Sequence, residues 1–167
     1  MSKPEVSTFF EIAGLIIIRI ACLALCLYFF LPLFTVSKTL LDTDLLKETQ
    51  VLTGFNTIFG VKGSGVYGNP FALVAFLFPI ALLIGSAFLS FLNEHMYTTL
   101  FISSIIGFIL SIIYFIATVT FLNQKESLFD FTLYEMKTGL SWGVLLILGT
   151  YLLIIAMSLL GKRNCET

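Results

Sequence analysis

Apolar residues gather along this chain into four runs of about twenty or more, divided by polar stretches. The runs cover roughly 10–34, 71–92, 98–122 and 140–160. At ~1.5 Å per residue each reaches about 30–37 Å, enough to cross the hydrocarbon of a bilayer. Backbone groups in lipid must bond within their own segment, so the pattern predicts four membrane-spanning helices. The connections are unequal. "NEHMY" at 93–97 reads as a tight turn, whereas the links over 35–70 and 123–139 are longer. Four spans place both longer links on one face and both termini on the other.

The longer links carry a second pattern. "SLFDFTLYEMK" at 127–137 alternates, with Phe129, Phe131 and Leu133 on one side and Asp130, Thr132 and Tyr134 on the other. That period belongs to a half-buried strand. "ETQVLTGF" at 48–55 and "FTVS" at 34–37 are further strand candidates, and "DTDLLKE" at 42–48 can open a short helix capped by Asp42 or Thr43. "GVKGSGVYGNP" at 60–70 reads as turns. Lone hairpins are weak in water, so strands from both links are expected to pair into one small sheet.

Composition agrees with the runs. Of 167 residues, 58% are hydrophobic and 11% charged, and the mean hydropathy is +1.03. A soluble domain of this length needs more polar surface. The expected fold class is therefore membrane all-α: one four-transmembrane-helix bundle over residues 1–167 with a small extracytoplasmic β cap from the first and third connections. The net charge of −1 gives no field that calls for nucleic acid. Cys22 and Cys26 lie inside an apolar run and Cys165 near the C-terminus, so no disulfide framework is expected. The first run is longer than a signal core and is expected to stay uncleaved, although "LALC" at 23–26 faintly resembles a lipoprotein box.

Lysine and arginine set the orientation. The loop face carries Lys38, Lys47, Lys62, Lys125 and Lys137, interleaved with acids; the terminal face carries Lys3, Lys162 and Arg163 on far fewer exposed residues. The raw count favours the loop face and the charge density the terminal face; taken by density, the termini are expected to be cytoplasmic in a multi-pass inner-membrane protein.

"FLPLFTVS", "LTGFNTIFG", "GNPFALVAFLFPIALL" and "KTGLSWGVLLIL" together give a proline exit, a Gly-Phe…Phe-Gly element and an Asn-Pro re-entry. Over about residues 29–85 and 135–150 this resembles a group of small bacterial four-helix membrane proteins. The layout of a large first loop and a smaller second one, with strands in both, is also similar to that of claudin-like tetraspan proteins. Claudins carry a tryptophan and two cysteines in the first loop, and this loop has neither, so the resemblance implies the layout and not junction formation.

Small residues recur at helical spacing. Ser103, Gly107 and Ser111 form one stripe, Gly139 and Gly143 head the fourth run, and Ala81 and Gly85 mark the second. Such stripes let helix backbones approach in lipid, within this chain or against another protein's helix. Pro79 predicts a kink. His95 reads as a solvated turn residue rather than a metal ligand, and no catalytic or cofactor grouping is visible. No metal, cofactor or enzymatic activity is expected.

Arg19 is the one charge deep in the first run. Midway in a bilayer it costs ~2.5–3.5 kcal/mol. The fourteen Leu, Ile and Phe residues between Ile12 and Phe34 offset this at ~0.3–0.6 kcal/mol each. The side chain leans toward the N-terminal end and can snorkel inward. An intramembrane ion pair with Glu94 is expected, with Glu11 as second choice. The function these features favour is a non-enzymatic membrane scaffold or accessory subunit. Its partners are the bilayer and other membrane proteins or a second copy. The alternative is a small transporter or channel component, resting on Arg19, Pro79 and the hydroxyls of the third run.

Overall fold

A computed structural model describes residues 5–40, 47–61, 68–89, 96–122, 125–128 and 131–166. The chain is mostly helical. Helix α1 covers Glu5–Tyr28, α2 Gly54–Phe59, α3 Pro70–Leu89, α4 Met96–Leu122 and α5 Trp142–Glu166. Among the described residues, three stretches are long and apolar enough to cross a membrane: Pro70–Ala87, Met96–Leu122 and Trp142–Arg163. The apolar part of α1, Ile12–Tyr28, is shorter.

The first apolar run does not stay helical to residue 34. Helix α1 stops at Tyr28, Leu31 N–H turns back onto the Tyr28 carbonyl at 3.0 Å, and strand β1 runs from Pro32 to Leu40. Pro32 is the cause. Its ring disfavours helical geometry at the residue before it, and a strand accepts proline at its first position. Strand β2 is Lys47–Thr53, β3 Lys125–Leu128 and β4 Phe131–Leu140. All neighbours are antiparallel in the order β2-β1-β4-β3. The link between the second-last and last long helices is thus a hairpin, not the single strand its alternation predicts. β4 pairs with β1 from Phe34↔Leu140 to Leu40↔Tyr134, joining strands from the two long connections as expected. Of the short helix expected over 42–48, residues 42–46 lie outside the described residues and Lys47 and Glu48 belong to β2 instead; of the turns expected over 60–70, residues 62–67 lie outside them, as does most of "NEHMY".

The chain divides into two compact units. One comprises Met1–Leu27, Ala75–Ser111 and Ile147–Thr167; the other comprises Tyr28–Val74 and Ile112–Leu146. The second holds the sheet. Phe34 and Val36 are buried on one face of β1, and Leu52 and Met136 are buried beside them, whereas Val51 on the opposite face is exposed. Burial of each such side chain contributes ~1.5–3 kcal/mol. Tyr114 and Phe115 of α4 meet this apolar face: Phe34 lies 5.8 Å from the Tyr114 ring, edge-on, and Phe29 stacks on Tyr114 at 6.0 Å. The Lys137–Glu135 pair, 3.2 Å apart on the exposed side, adds little because both ends are solvated.

Helix α2 follows β2 without a break. The Thr53 hydroxyl accepts from Asn56 N–H at 3.2 Å as an N-cap, and the helix ends at Gly60, whose φ of 76° suits glycine alone. Gly54 is required for a different reason. A Cβ there would stand 2.5 Å from Phe29 Cδ1 and 2.9 Å from Leu33 Cδ1.

Candidate functional site

Two polar constructions stand inside otherwise apolar surroundings. The first lies in the helical unit. Arg19 of α1 donates from Nη2 to the backbone carbonyl of Ser86 at 3.3 Å. Ser86 lies in the last turn described for α3, which ends at Leu89. The guanidinium thus lies toward the C-terminal, negative end of the α3 dipole. The Ser86 hydroxyl donates back to the Leu83 carbonyl at 2.8 Å, which keeps the buried side chain satisfied. Glu94, the expected partner of Arg19, lies outside the described residues, as does the side chain of Glu11.

Beside Ser86 a groove opens between α3 and α4, with a volume of about 220 Å³. Phe78, Ala81 and Gly85 wall one side; Thr99, Leu100 and Ser103 wall the other. A Cβ on Gly85 would meet nothing within 4 Å. The small residues Ala81, Gly85 and Ser103 thus leave space instead of bringing backbones together.

The remaining members of the stripes separate from these. A Cβ on Gly107 would lie 2.6 Å from Tyr151 Cε1 and 2.7 Å from Phe78 Cε1, so this glycine admits two rings against α4. Ser111 is buried, and its hydroxyl donates to the Gly107 carbonyl at 2.9 Å. Gly143 is close-packed for the same steric reason, with the Pro32 carbonyl where its Cβ would stand. Gly139 is not on a helix. It sits in β4 opposite Thr35, whose hydroxyl donates to its carbonyl at 3.4 Å, so Gly139 and Gly143 share no helix face. The β pairing with Thr35 overrides the helical spacing.

The second construction ties the first connection to α4 within the sheet unit. The Thr57 hydroxyl donates to the Gly54 carbonyl at 2.7 Å, and its oxygen lies 2.7 Å from the Tyr114 hydroxyl. A threonine has one proton to give, so Tyr114 is the donor in that pair. One step on, Asn69 N–H donates to the Thr57 carbonyl at 2.8 Å, and Asn69 Nδ2 donates to Thr118 Oγ1 at 3.2 Å. Asn69 Oδ1 accepts from Phe71 N–H at 3.0 Å, which makes it the N-cap of α3 ahead of Pro70. Sequence reading passed over this network. Its local signals were present: a threonine before Gly-Phe-Asn, and Asn-Pro before an apolar run.

Among the described residues, no three His, Cys, Asp or Glu side chains gather as a metal site. A comparison with protein-family models finds no match to the chain, and a comparison with curated proteins finds none either.

Proposed function

We propose that this chain is a four-span membrane scaffold or accessory subunit, inserted with both termini in the cytoplasm and with α1 as the fourth span. The observation that carries the reading is the four-stranded sheet. Strands from two connections far apart in sequence are fused into one rigid element, which is then fastened to α4 through Thr57–Tyr114 and Asn69–Thr118. Such an element holds its outer face and its edge strands β2 and β3 in fixed positions. Exposed edges and an exposed apolar residue such as Val51 are what a partner protein uses. The layout is the claudin-like one of four spans with strands from both long loops.

The transporter reading draws less support. Three of the hydroxyls that motivated it bond within their own helix, Ser104 to the Leu100 carbonyl, Ser111 to Gly107 and Thr120 to Ile116, and a fourth, Thr118, accepts from Asn69. Arg19 likewise bonds to a helix end.

The test is purification in mild detergent with a photo-cross-linker at Val51. A discrete complex larger than the monomer is expected on native gels. The Val51 cross-link should trap one defined partner, and Val51→Asp should deplete it. A strictly monomeric protein without a cross-linked partner overturns the reading.

A further inference from the structure

We infer that helix α2 anchors the chain in lipid: the rings of Phe30, Phe55 and Phe59 lie among phospholipids at the boundary between headgroups and hydrocarbon. This rests on the proposed membrane-spanning arrangement and adds a lipid-facing surface to it. The three rings form one surface within the unit that holds the sheet. Phe55 stands 5.7 Å from Phe30 and 4.7 Å from Phe59, centroid to centroid, and all three are exposed. Phe55 and Phe59 are four apart and share a helix face, whereas Gly54 and Thr57 are buried. Aromatic residues on one face are what an interfacial helix sinks into the headgroup–acyl boundary.

Depth identifies lipid as what covers the rings. A hydrocarbon core of ~30 Å takes about 20 helical residues. Counted from Met96, where α4 begins, these end near Phe115. The Thr57 hydroxyl meets Tyr114, at that limit. The apolar part of α1 ends at Tyr28. The next residue, Phe29, stacks on Tyr114, and its carbonyl accepts from Phe55 N–H at 3.1 Å. Asn69, whose N–H bonds the Thr57 carbonyl, directly precedes α3. Helix α2 is thus held where α1, α3 and α4 meet the membrane boundary. Exposed Phe71 and Trp142 open α3 and α5, so two further rings mark the same boundary. The backbone is closed in the way lipid requires. Thr53 caps Asn56 N–H, Phe55 N–H goes to Phe29, and Gly60 N–H goes to the Asn56 carbonyl. The Gly54 and Thr57 carbonyls accept from Thr57 Oγ1 and Asn69 N–H. Half-buried Asn56 suits the headgroup layer and not the middle of the bilayer.

Trp142 is the chain's single tryptophan and serves as the depth standard. The full chain is reconstituted in phosphatidylcholine vesicles whose acyl chains carry bromine either near the headgroup or near the methyl end, and tryptophan fluorescence is recorded. In the wild type, the shallow bromine should quench Trp142 more than the deep one. Phe59→Trp in a Trp142→Phe background should show the same blue-shifted emission and the same shallow-over-deep order, and Phe55→Trp should act alike. Both changes keep an aromatic ring at an exposed position, so the fold is retained. Thr49→Trp in that background, at an exposed site in β2, should emit as tryptophan in water and answer to aqueous acrylamide instead of bromine. Water-like emission from both Phe59→Trp and Phe55→Trp overturns the assignment. Blue-shifted emission that neither brominated lipid quenches also overturns it, in favour of a protein contact such as a second copy. Thr49→Trp quenched by bromine as strongly as Phe59→Trp overturns the boundary at Tyr114. Trp142 unquenched by either lipid overturns the spanning arrangement and this inference with it, which separates that failure from a misplaced α2 alone.

Discussion

The guanidinium of Arg19 lies 3.3 Å from the Ser86 carbonyl, joining a charge in the first helix to the C-terminal part of the third. A cation toward a helix C-terminus interacts favourably with the helix dipole while it bonds a carbonyl, so the arginine contributes to the fold as well as to insertion.

Arg19→Leu should accordingly insert well and fold less stably. Loss of a hydrogen bond from a charged donor costs about 1.5–3 kcal/mol, and removal of a charge from an apolar segment offsets part of it. The expected net loss is about 1 kcal/mol, seen as a lower melting temperature in detergent. Hydrogen exchange over the last turn of α3 should quicken. Arg19→Lys should fall between, since lysine keeps the charge and lacks the fork. An unchanged melting temperature and exchange pattern in Arg19→Leu would show that the Arg19–Ser86 bond carries no stability.

Tyr114→Phe deletes the proton that Tyr114 gives Thr57 and leaves the Thr57–Gly54 bond in place. It should cost about 1 kcal/mol. Thr57→Val should cost more, roughly 1–3 kcal/mol, because the buried tyrosine hydroxyl then loses its acceptor. The two effects should be less than additive, and a double-mutant cycle measured by reversible unfolding in detergent checks the coupling. Full additivity would mean the 2.7 Å contact carries no energy.

Three long apolar helices and the sheet were legible because each rests on a local period. Apolar runs need no partner to be recognised, and the alternation over 129–136 predicts a strand that, from Phe131 on, does pair with the first connection. Boundaries were legible only where a residue forbids continuation. Pro32 ends the first helix early, yet the apolar count carried the reading on to Phe34. The strand expected over "ETQVLTGF" stops at Thr53 because that threonine caps a helix. The small-residue stripes misled for a related reason. Spacing shows which residues share a face, but only the opposing side chains decide whether that face is filled, as at Gly107, or left open, as at Gly85.

Asn69→Ala should lose two functions together, the cap on Phe71 N–H and the bond to Thr118. Cap loss alone costs about 0.5–2 kcal/mol. Asn69→Asp retains an acceptor for the cap and lacks the Nδ2 donor, and it brings a charge into a site that is 6% exposed. It should therefore fail to rescue stability. Thermal unfolding of the three proteins side by side checks this. An aspartate variant as stable as the wild type would show that the cap, and not the Thr118 bond, dominates.

Gly107 and Gly85 should respond to alanine with opposite signs, although both are glycines in the interior of apolar helices. Alanine ordinarily stabilises a helix over glycine by about 0.5–1 kcal/mol. At Gly85 that gain should be realised in full, since a Cβ meets nothing within 4 Å. At Gly107 the new methyl collides with Tyr151 and Phe78. Phe78 borders the groove and has room to swing, whereas Tyr151 is 1% exposed and fixed. Overpacking of this kind costs about 1–3 kcal/mol, which exceeds the propensity gain. Gly107→Ala should thus lower the melting temperature in detergent while Gly85→Ala raises it slightly. Tyr151→Leu, by removing the fixed ring, should make Gly107→Ala nearly neutral. A Gly107→Ala protein as stable as the wild type would show that α5 is not seated against α4 at this point.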